Sequence, residues 1–264
     1  NQHRQQPAFR KGPFIMSTTT APSSEPTRNK SPWLHNALWP GLVGKGDGDG
    51  QEPPITLERM LDLTAAAGVN GEKFTGVDVI CDARHGLGLG ASDEDIKRFA
   101  DTVGNRGLKI GTVVAPVWAG AGGGSAMGDD VARQKFLDAV RFGCHVAQSF
   151  KNMGIRQCGN VRIDSAEFGI GQWRKNSTPN TRRIIQTFSL ATDIAKSMGE
   201  RLAAEMEVCW AGMHSVPRML EVLQGVGDPS GFGLMADLAH VHTAMLGWNA
   251  PKDALIHVGS HGDG

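Results

Sequence analysis

Two short apolar runs in the last third of the chain each end in acidic side chains, and a stretch of helix length separates them. The first run, 202–208, reads LAAEMEV, and the second, 233–237, reads GLMAD. Between them, Ser215 is a candidate helix N-cap, and an apolar stripe follows it until Gly225. This pattern predicts strand, helix and strand. Such a unit joins parallel neighbours by a right-handed crossover, so both acidic ends should lie at one edge of a sheet.

The rest of the chain repeats this alternation. A first strand is predicted within 33–43, and the later strand-like runs are rich in β-branched residues. Helix-like stretches with apolar residues at helical spacing lie between the strands, and one of them begins with a capping box at Ser92 and Asp95. Alternation of this kind predicts an α/β fold with a parallel sheet. The further predicted strands are 77–82, 108–114 and 160–164, and the further predicted helices are 57–69, 96–103, 130–153, 178–199 and, near the end, about 253–257.

Composition limits the classes of function. The 264 residues carry 27 basic and 27 acidic side chains, and this balance disfavours a nucleic-acid or anionic-membrane partner. No apolar run approaches the roughly 20 residues of a membrane span, and no signal peptide is evident. The four cysteines show no C-x-x-C spacing and are predicted to be buried, reduced thiols, which favours a cytoplasmic setting. These cysteines are Cys81, Cys144, Cys158 and Cys209.

Two parts of the chain are distinguished by composition. Residues 1–31 are rich in Ser, Thr, Pro, Gln and basic residues, so we expect a disordered N-terminal arm. Residues 32–264 are predicted to form one domain, with 35 glycines in the chain suiting many tight strand-to-helix turns. The glycine run Gly120 to Gly124 is expected to be a flexible loop or lid, and the tail histidines His257 and His261 are expected to be solvated.

The acidic strand ends are the strongest candidates for chemistry. Glu205 and Glu207 are two residues apart, so a strand places both on one face, and Asp237 ends the neighbouring strand. Such carboxylates suit a divalent metal or an acid/base pair. A second interpretation stays open, in which the two glutamates are rim residues paired with Arg201 or Arg162.

Other polar and aromatic side chains follow the predicted strands and would face substrate at the same edge. His240 and His242 come just after Asp237, and His240 is the stronger candidate of the two. Trp39 is a candidate wall of a sugar pocket. The remaining candidates for substrate binding are Asp82 and His85 after the second strand, Trp118 after the third, Asp164 and Glu167 after the fourth, and His214 after the fifth.

Three pieces of this sequence resemble the xylose isomerase-like TIM barrels, the sugar phosphate isomerase/epimerase superfamily. They are the strand 202–207, the helix-like stretch 215–223 and the segment 233–240, which reads GLMADLAH. The resemblance implies a (β/α)8 TIM barrel. About six βα units are recognisable, and the last two strands are not, so we expect an incomplete barrel. Its first and sixth strands should then be exposed edges, which makes the chain aggregation-prone or a homo-oligomer such as a dimer.

The resemblance also implies a site and a reaction. In this superfamily a Glu from the fifth strand and an Asp from the sixth hold a divalent metal, which implies Glu205 or Glu207 together with Asp237. His240 matches the histidine that follows the aspartate by three, and Glu207 stands where relatives often have His. The metal would be Mn²⁺, Mg²⁺, Co²⁺ or Zn²⁺, and Glu205, Glu207 and Asp237 would be the catalytic groups, with His240 as a further ligand.

The implied activity is isomerisation or epimerisation of a sugar, sugar phosphate or polyol by proton transfer through an enediol. Two alternatives stay open. One is a dehydratase of inosose type with the same fold and ligands. The other is a non-catalytic partial barrel that binds a sugar or a partner subunit.

Overall fold

The computed structural model describes residues 34–38 and 55–256. Its main sheet has six parallel strands in sequential order, so each neighbour pair is joined by a crossover. The arm 1–31, Trp39, His257 and His261 lie outside the described residues. The six strands are β1 His35–Leu38, β2 Gly76–Ile80, β3 Lys109–Val114, β4 Val161–Ile163, β5 Leu202–Glu205 and β6 Phe232–Met235.

Seven α-helices are found among the described residues. A small antiparallel hairpin, Gly68–Val69 with Glu72–Lys73, lies between the first helix and β2. None of the described helices combines the length and apolarity needed to cross a bilayer. The helices are α1 Leu57–Ala66, α2 Asp93–Gly104, α3 Asp130–Asn152, α4 Ile170–Lys175, α5 Ser177–Ser197, α6 Val216–Val226 and α7 Leu238–Met245.

The strand register separates the two faces of the sheet. Val161 and Ile163 are fully buried in the hydrophobic core with Phe136 of α3 and Phe188 of α5. Arg162, between them in β4, has the opposite orientation, because successive side chains of a strand alternate. The helices thus cover one face of the sheet with an apolar layer, and the other face carries polar groups.

The predicted incomplete barrel agrees with this architecture. In the part of the chain that the structure describes, β1 and β6 each pair with one strand, so both are edges and the sheet is not closed. Leu234 of β6 is 43% exposed. The predicted capping box is present, since Ser92 and Asp95 each bond to the other's backbone at the start of α2.

Three local predictions are wrong. The helix predicted near 253–257 is a single 3₁₀ turn, Pro251–Asp253, over the described residues, and the helix α7 begins earlier, directly after Asp237. Cys158 is exposed rather than buried. The run Gly120 to Gly124 is a tight turn and not a flexible loop. A Cβ on Gly124 would lie 1.8 Å from the Ala132 carbonyl oxygen, so the glycine is required by close backbone packing.

A buried ion pair joins the segments that enter β4 and β5. Arg156 and Glu200 are both almost inaccessible, and they form two hydrogen bonds of 2.9 Å each. The Arg156 Nε also donates to the carbonyl oxygen of Gly111 in β3 at 2.9 Å. The pair therefore connects three neighbouring strands beneath the sheet's amino end.

We predict that Glu200→Ala lowers the free energy of unfolding by about 3–5 kcal/mol, because it leaves the Arg156 guanidinium buried without a carboxylate. Asp138→Ala, which removes an exposed partner of Arg141, should cost less than about 1 kcal/mol. The double variant Arg156→Met/Glu200→Leu should recover most of the loss. Urea unfolding followed by circular dichroism measures all three, and equal values for the two single variants would contradict a buried pair.

Candidate active site

A cavity of about 430 Å³ opens on the polar face of the sheet, and we call it the central cavity. Every one of the six strands contributes at least one side chain to its lining. It therefore occupies the position that the interior and carboxyl end of a closed barrel would have. In α/β barrels, ligands bind at that end. The polar residues that line it are Asp78, Thr112, Arg162, Glu205, Glu207, Asp237 and His240.

Glu205, Asp237 and His240 converge in this cavity. One ligand atom of each lies within 4.8 Å of the others. The His240 Nε2 is 3.8 Å from a Glu205 oxygen and 3.8 Å from the Asp237 Oδ2. The last residue of β5 supplies Glu205, the N-cap of α7 supplies Asp237, and the first turn of α7 supplies His240. Parallel pairing brings these chain segments together, as the sequence pattern predicts.

Asp237 uses its two carboxylate oxygens differently. Its Oδ1 accepts the backbone N–H groups of Ala239 at 2.8 Å and His240 at 3.1 Å, which caps α7. Its Oδ2 faces the His240 ring. The capping bonds thus fix the side chain while leaving one oxygen for a ligand.

Glu207 lies beyond the end of β5 but on the same side as Glu205. Its Oε1 is 3.7 Å from the His240 Nε2. Glu207 lines the central cavity and also a second cavity described below, so it stands where the two meet.

The donor set fits a divalent metal ion. Oxygen and nitrogen ligands at roughly 2.0–2.2 Å from one ion lie at most a little over 4 Å apart. The distances of 3.7–3.8 Å from the His240 Nε2 to three carboxylates fall in this range. Two or three carboxylates with one imidazole suit Mn²⁺, Mg²⁺, Co²⁺ or Zn²⁺. Glu205, Asp237 and His240 could hold such an ion, with Glu207 beside it.

A buried arginine stands next to this cluster. Arg162 is only 2% exposed, and its Nη2 forms an ion pair with the Glu205 Oε2. Its Nη1 lies 3.2 Å from the Asp164 Oδ2, and its guanidinium carbon is 5.5 Å from the centre of the Trp118 ring. The pairing of Glu205 with Arg162 that the second interpretation of the sequence named is therefore present. Glu205 is buried rather than at the rim, and Glu207 pairs with neither Arg162 nor Arg201 among the described residues. Arg201 instead donates to the Pro229 carbonyl oxygen.

Asp164 is fully buried beside Arg162. Burial raises its pKa to about 6, while Arg162 and hydrogen bonds from the Ala166 backbone and the Trp118 indole work in the opposite direction. The Trp118 Nε1 donates to both oxygens of Asp164 at 3.0–3.1 Å. Asp164 thus anchors Trp118 and does not present its carboxylate to either cavity.

The second cavity, of about 510 Å³, has aromatic walls, and we call it the aromatic cavity. Trp118, Phe168 and Trp210 line it, and the Phe168 and Trp210 ring centres are 4.3 Å apart. It shares Ile80, Arg162 and Glu207 with the central cavity. Phe168 is 70% exposed, an arrangement that leaves an aromatic face available to a ligand.

Two predicted substrate-binding histidines are not in these cavities, which corrects the prediction. His85 lies in the 3₁₀ turn Ala83–His85, and its ring packs on Phe99 in the core instead of facing the sheet edge. His214 lines a different cavity with Trp173. His242 is exposed on α7 and lines none of the three cavities.

Of the two other loop candidates for substrate binding, one lines a cavity and one does not. Asp82 lines the aromatic cavity, where it pairs with Arg84 at 2.9 Å, and this bond lowers the pKa of Asp82. Glu167 accepts from Ser125 and from the Gly169 backbone, so it organises its own loop.

The sequence analysis named Arg162 only as an ion-pair partner of rim glutamates, and it did not identify Asp78, Phe168 or Trp210. The sequence does indicate where the Arg162 side chain points. It lies between two apolar residues of a strand, so it must face the side of the sheet opposite to theirs. Asp78 lies within β2 at a register irregularity and accepts the Thr112 backbone N–H at 2.9 Å. Phe168 and Trp210 are loop residues without a strand or helix pattern, and nothing in the sequence marked them.

Solved structures share this architecture. A D-tagatose 3-epimerase-like protein aligns with 72% of this chain at a TM-score of 0.55 and 16% identity. A 3-keto-D-glucoside 4-epimerase from E. coli aligns with 79% at 0.51 and 11%. A probable 3-DHS dehydratase from Bacillus anthracis, involved in petrobactin synthesis, aligns with 80% at 0.51 and 15%.

The chain spans 64%, 69% and 65% of these three proteins, respectively. No family model and no curated protein matches the sequence. At these identities the likeness establishes the fold, which is that of the xylose isomerase-like TIM barrels, as predicted from the sequence.

The raised pKa of Asp164 makes stability depend on pH in a defined direction. Between about pH 4 and 6 the folded chain keeps a proton that the unfolded chain has lost, since the ordinary pKa is 3.8. The free energy of unfolding therefore falls as pH rises through this window. Asp164→Asn cannot titrate, so we expect the wild-type stability minus the variant stability to fall by on the order of 3 kcal/mol from pH 4 to 7.

Urea unfolding at several pH values in EDTA tests this expectation, because the titration of groups that do not interact with Asp164 cancels in the difference between the proteins. Asp62→Asn, at an exposed ion pair with Arg106, is the matched control and should not show this fall. A flat difference for Asp164→Asn would contradict the raised pKa.

Proposed function

We propose that this chain is a metal-dependent isomerase or epimerase that acts on a sugar, a sugar phosphate or a related polyol. The observation that carries the proposal is the convergence of Glu205, Asp237 and His240, with Glu207 beside them, in the central cavity. That cluster stands next to an aromatic cavity with which it shares Arg162 and Glu207. Carbohydrate ligands suit such a combination of polar groups and aromatic walls.

The proposed cofactor is a divalent cation held by Glu205, Asp237 and His240. When bound, such a cation polarises the neighbouring oxygens of a sugar and makes a hydrogen on the adjacent carbon more acidic. Arg162 would act as a positioning residue, since it fixes one oxygen of Glu205 and leaves the other directed at His240.

Glu207 is the residue that we assign to proton transfer. Glu205 is held by Arg162, and Asp237 caps α7, whereas Glu207 makes no such ion pair with arginine or lysine among the described residues. Its side chain is 26% exposed and borders both cavities, so it can reach a substrate that extends from one to the other. A carboxylate in this position would take a proton from one carbon of the enediol and return it to the adjacent carbon, which gives an isomer. Epimerisation at one carbon would require a second acid group that delivers the proton to the opposite face.

The substrate would extend along Trp118, Phe168 and Trp210. Aromatic faces accept the C–H groups of a sugar, and Asp82 with Arg84 offers hydrogen-bonding groups to its hydroxyls. Two structural neighbours with epimerase in their names support this class of substrate.

A dehydratase is the second candidate, because the 3-DHS dehydratase from Bacillus anthracis shares the fold. Elimination of water also begins with removal of a proton next to a carbonyl, so the same Glu207 would serve. The two reactions differ in their product: an isomer keeps the substrate's mass, whereas a dehydratase product is lighter by one water.

We expect Asp237→Asn to weaken Mn²⁺ binding by more than about 100-fold while the fold remains intact. Asparagine caps a helix as well as aspartate does, so the change removes ligand charge rather than the cap. Asp129→Asn is the matched control, since Asp129 caps α3 outside the cavities and should leave Mn²⁺ affinity unchanged. Calorimetric titration with circular dichroism decides the matter, and equal affinity of wild type and Asp237→Asn would remove Asp237 from the site.

We expect Glu207→Gln to lower kcat by about 10²–10⁴ while Mn²⁺ affinity stays within a few-fold of wild type. The assay follows interconversion of aldoses, ketoses and ketose epimers by chromatography and mass spectrometry, with and without EDTA. Turnover that persists in EDTA would refute the metal-dependent mechanism. Tight Mn²⁺ binding with no turnover of any sugar or polyol would instead favour the non-catalytic partial barrel.

A further inference from the structure

A third cavity, of about 470 Å³, is lined by basic side chains, and we call it the basic cavity. Arg174 of α4, Arg218 of α6 and Lys252 of the turn Pro251–Asp253 line it, with Asp253 as the single carboxylate. These four side chains carry a formal charge of +2, from three cations and one anion. The basic cavity shares no lining residue with the central or the aromatic cavity.

Two of the three cations have no carboxylate partner. Within residues 34–38 and 55–256, Arg174 and Lys252 form no ion pair, and one amino group of Arg174 donates to the Asn249 carbonyl oxygen. Arg218, in contrast, has two carboxylate partners. It bonds to Glu221 at 3.0 Å and lies 3.4 Å from Asp253, and its guanidinium lies over the Trp173 ring. The cavity thus holds more positive charge than its own carboxylate offsets.

A buried histidine completes the lining. His214 is 2% exposed, its ring meets Trp173 edge-on at 4.8 Å, and its Nδ1 has no hydrogen-bond partner among the described residues. Burial lowers the pKa of His214 to about 4, so the ring is neutral near pH 7. His214 also forms a hydrogen bond with the Trp210 backbone, so its neutral ring is a wall of the cavity and not a donor to a ligand.

We propose that the basic cavity binds a phosphate-type oxyanion through Arg174, Arg218 and Lys252. A phosphoryl group carries about −1.5 to −2 charges near neutral pH, which is opposite in sign to the excess charge of the cavity. Its oxygens accept several charge-assisted hydrogen bonds at once, and arginine is well suited to donate them. A metal cation is disfavoured by the same charges.

The start of α6 adds to the positive potential. Ser215 is the N-cap, but its hydroxyl donates to the Asp253 Oδ2 at 2.7 Å and does not cap the helix. The first turn of this 11-residue helix is therefore left without a side-chain cap, and its dipole favours an anion nearby. Asp253 is the internal competitor, so its removal should strengthen binding of an external anion.

The experiment is calorimetric titration of inorganic phosphate into the metal-free 264-residue chain at pH 7.5, with ionic strength held by chloride. We expect saturable binding that Arg174→Gln weakens about tenfold, as expected for loss of one charge-assisted hydrogen bond. Lys175→Gln removes the neighbouring charge outside the cavity and should stay within about twofold of wild type. Asp253→Asn should bind phosphate several-fold more tightly.

Absence of saturable phosphate binding would overturn the proposal. Equal losses in Arg174→Gln and Lys175→Gln would also overturn it, because they would indicate general attraction to a basic surface. Because the titration contains no metal and needs no turnover, its failure would not affect the proposed enzymatic function, and failure of that function would not affect this site.

A second set of titrations identifies the source of the phosphoryl group. Sorbitol 6-phosphate is compared with inorganic phosphate and with sorbitol alone. Tighter binding of sorbitol 6-phosphate than of the other two, with sensitivity to Arg174→Gln, would support a phosphorylated polyol as the ligand. Equal binding of both phosphates would support inorganic phosphate as the ligand of the same cavity.

Discussion

The polar face of this sheet depends on one buried guanidinium, that of Arg162. A cation with 2% exposure needs carboxylates close to it, because desolvation of an unpaired charge costs several kcal/mol. Glu205 and Asp164 supply them on adjacent strand ends, and Trp118 covers the guanidinium. Removing Arg162 would therefore leave two buried carboxylates without a compensating cation.

The central cavity carries a net negative charge even with Arg162 included. Glu205, Glu207 and Asp237 together face a single guanidinium, so carboxylates exceed the positive charge that the chain itself provides there. Like charges at this spacing repel one another unless a cation is shared between them. The electrostatics of the site thus favour a divalent cation, and this holds for either of the two reactions considered above.

The sequence predicted the parts of this structure that follow from periodicity and parallel pairing. The strand ends at Glu205 and Asp237, the capping box of α2 and the open sheet all follow from local patterns that tertiary packing does not override. The predictions fail where a tight turn determines the direction of a side chain or of the backbone. His85 follows a strand as expected, but the 3₁₀ turn capped by Asp82 rotates its ring into the core. The run Gly120 to Gly124 has the composition of a flexible linker, yet Gly123 and Gly124 are needed for close contact between backbones.

Asp237 explains why the segment after β6 was predicted only in part. The pattern predicted that its carboxylate is a metal ligand, but aspartate is also among the best helix N-caps, and GLMADLAH is therefore a strand end followed at once by a helix start. Residues three apart lie on one face of a helix, so the cap that begins α7 also brings His240 beside Asp237. His242 is two residues further, roughly 200° around the helix axis, and faces solvent. The choice between the two histidines thus follows from the position of the N-cap at Asp237.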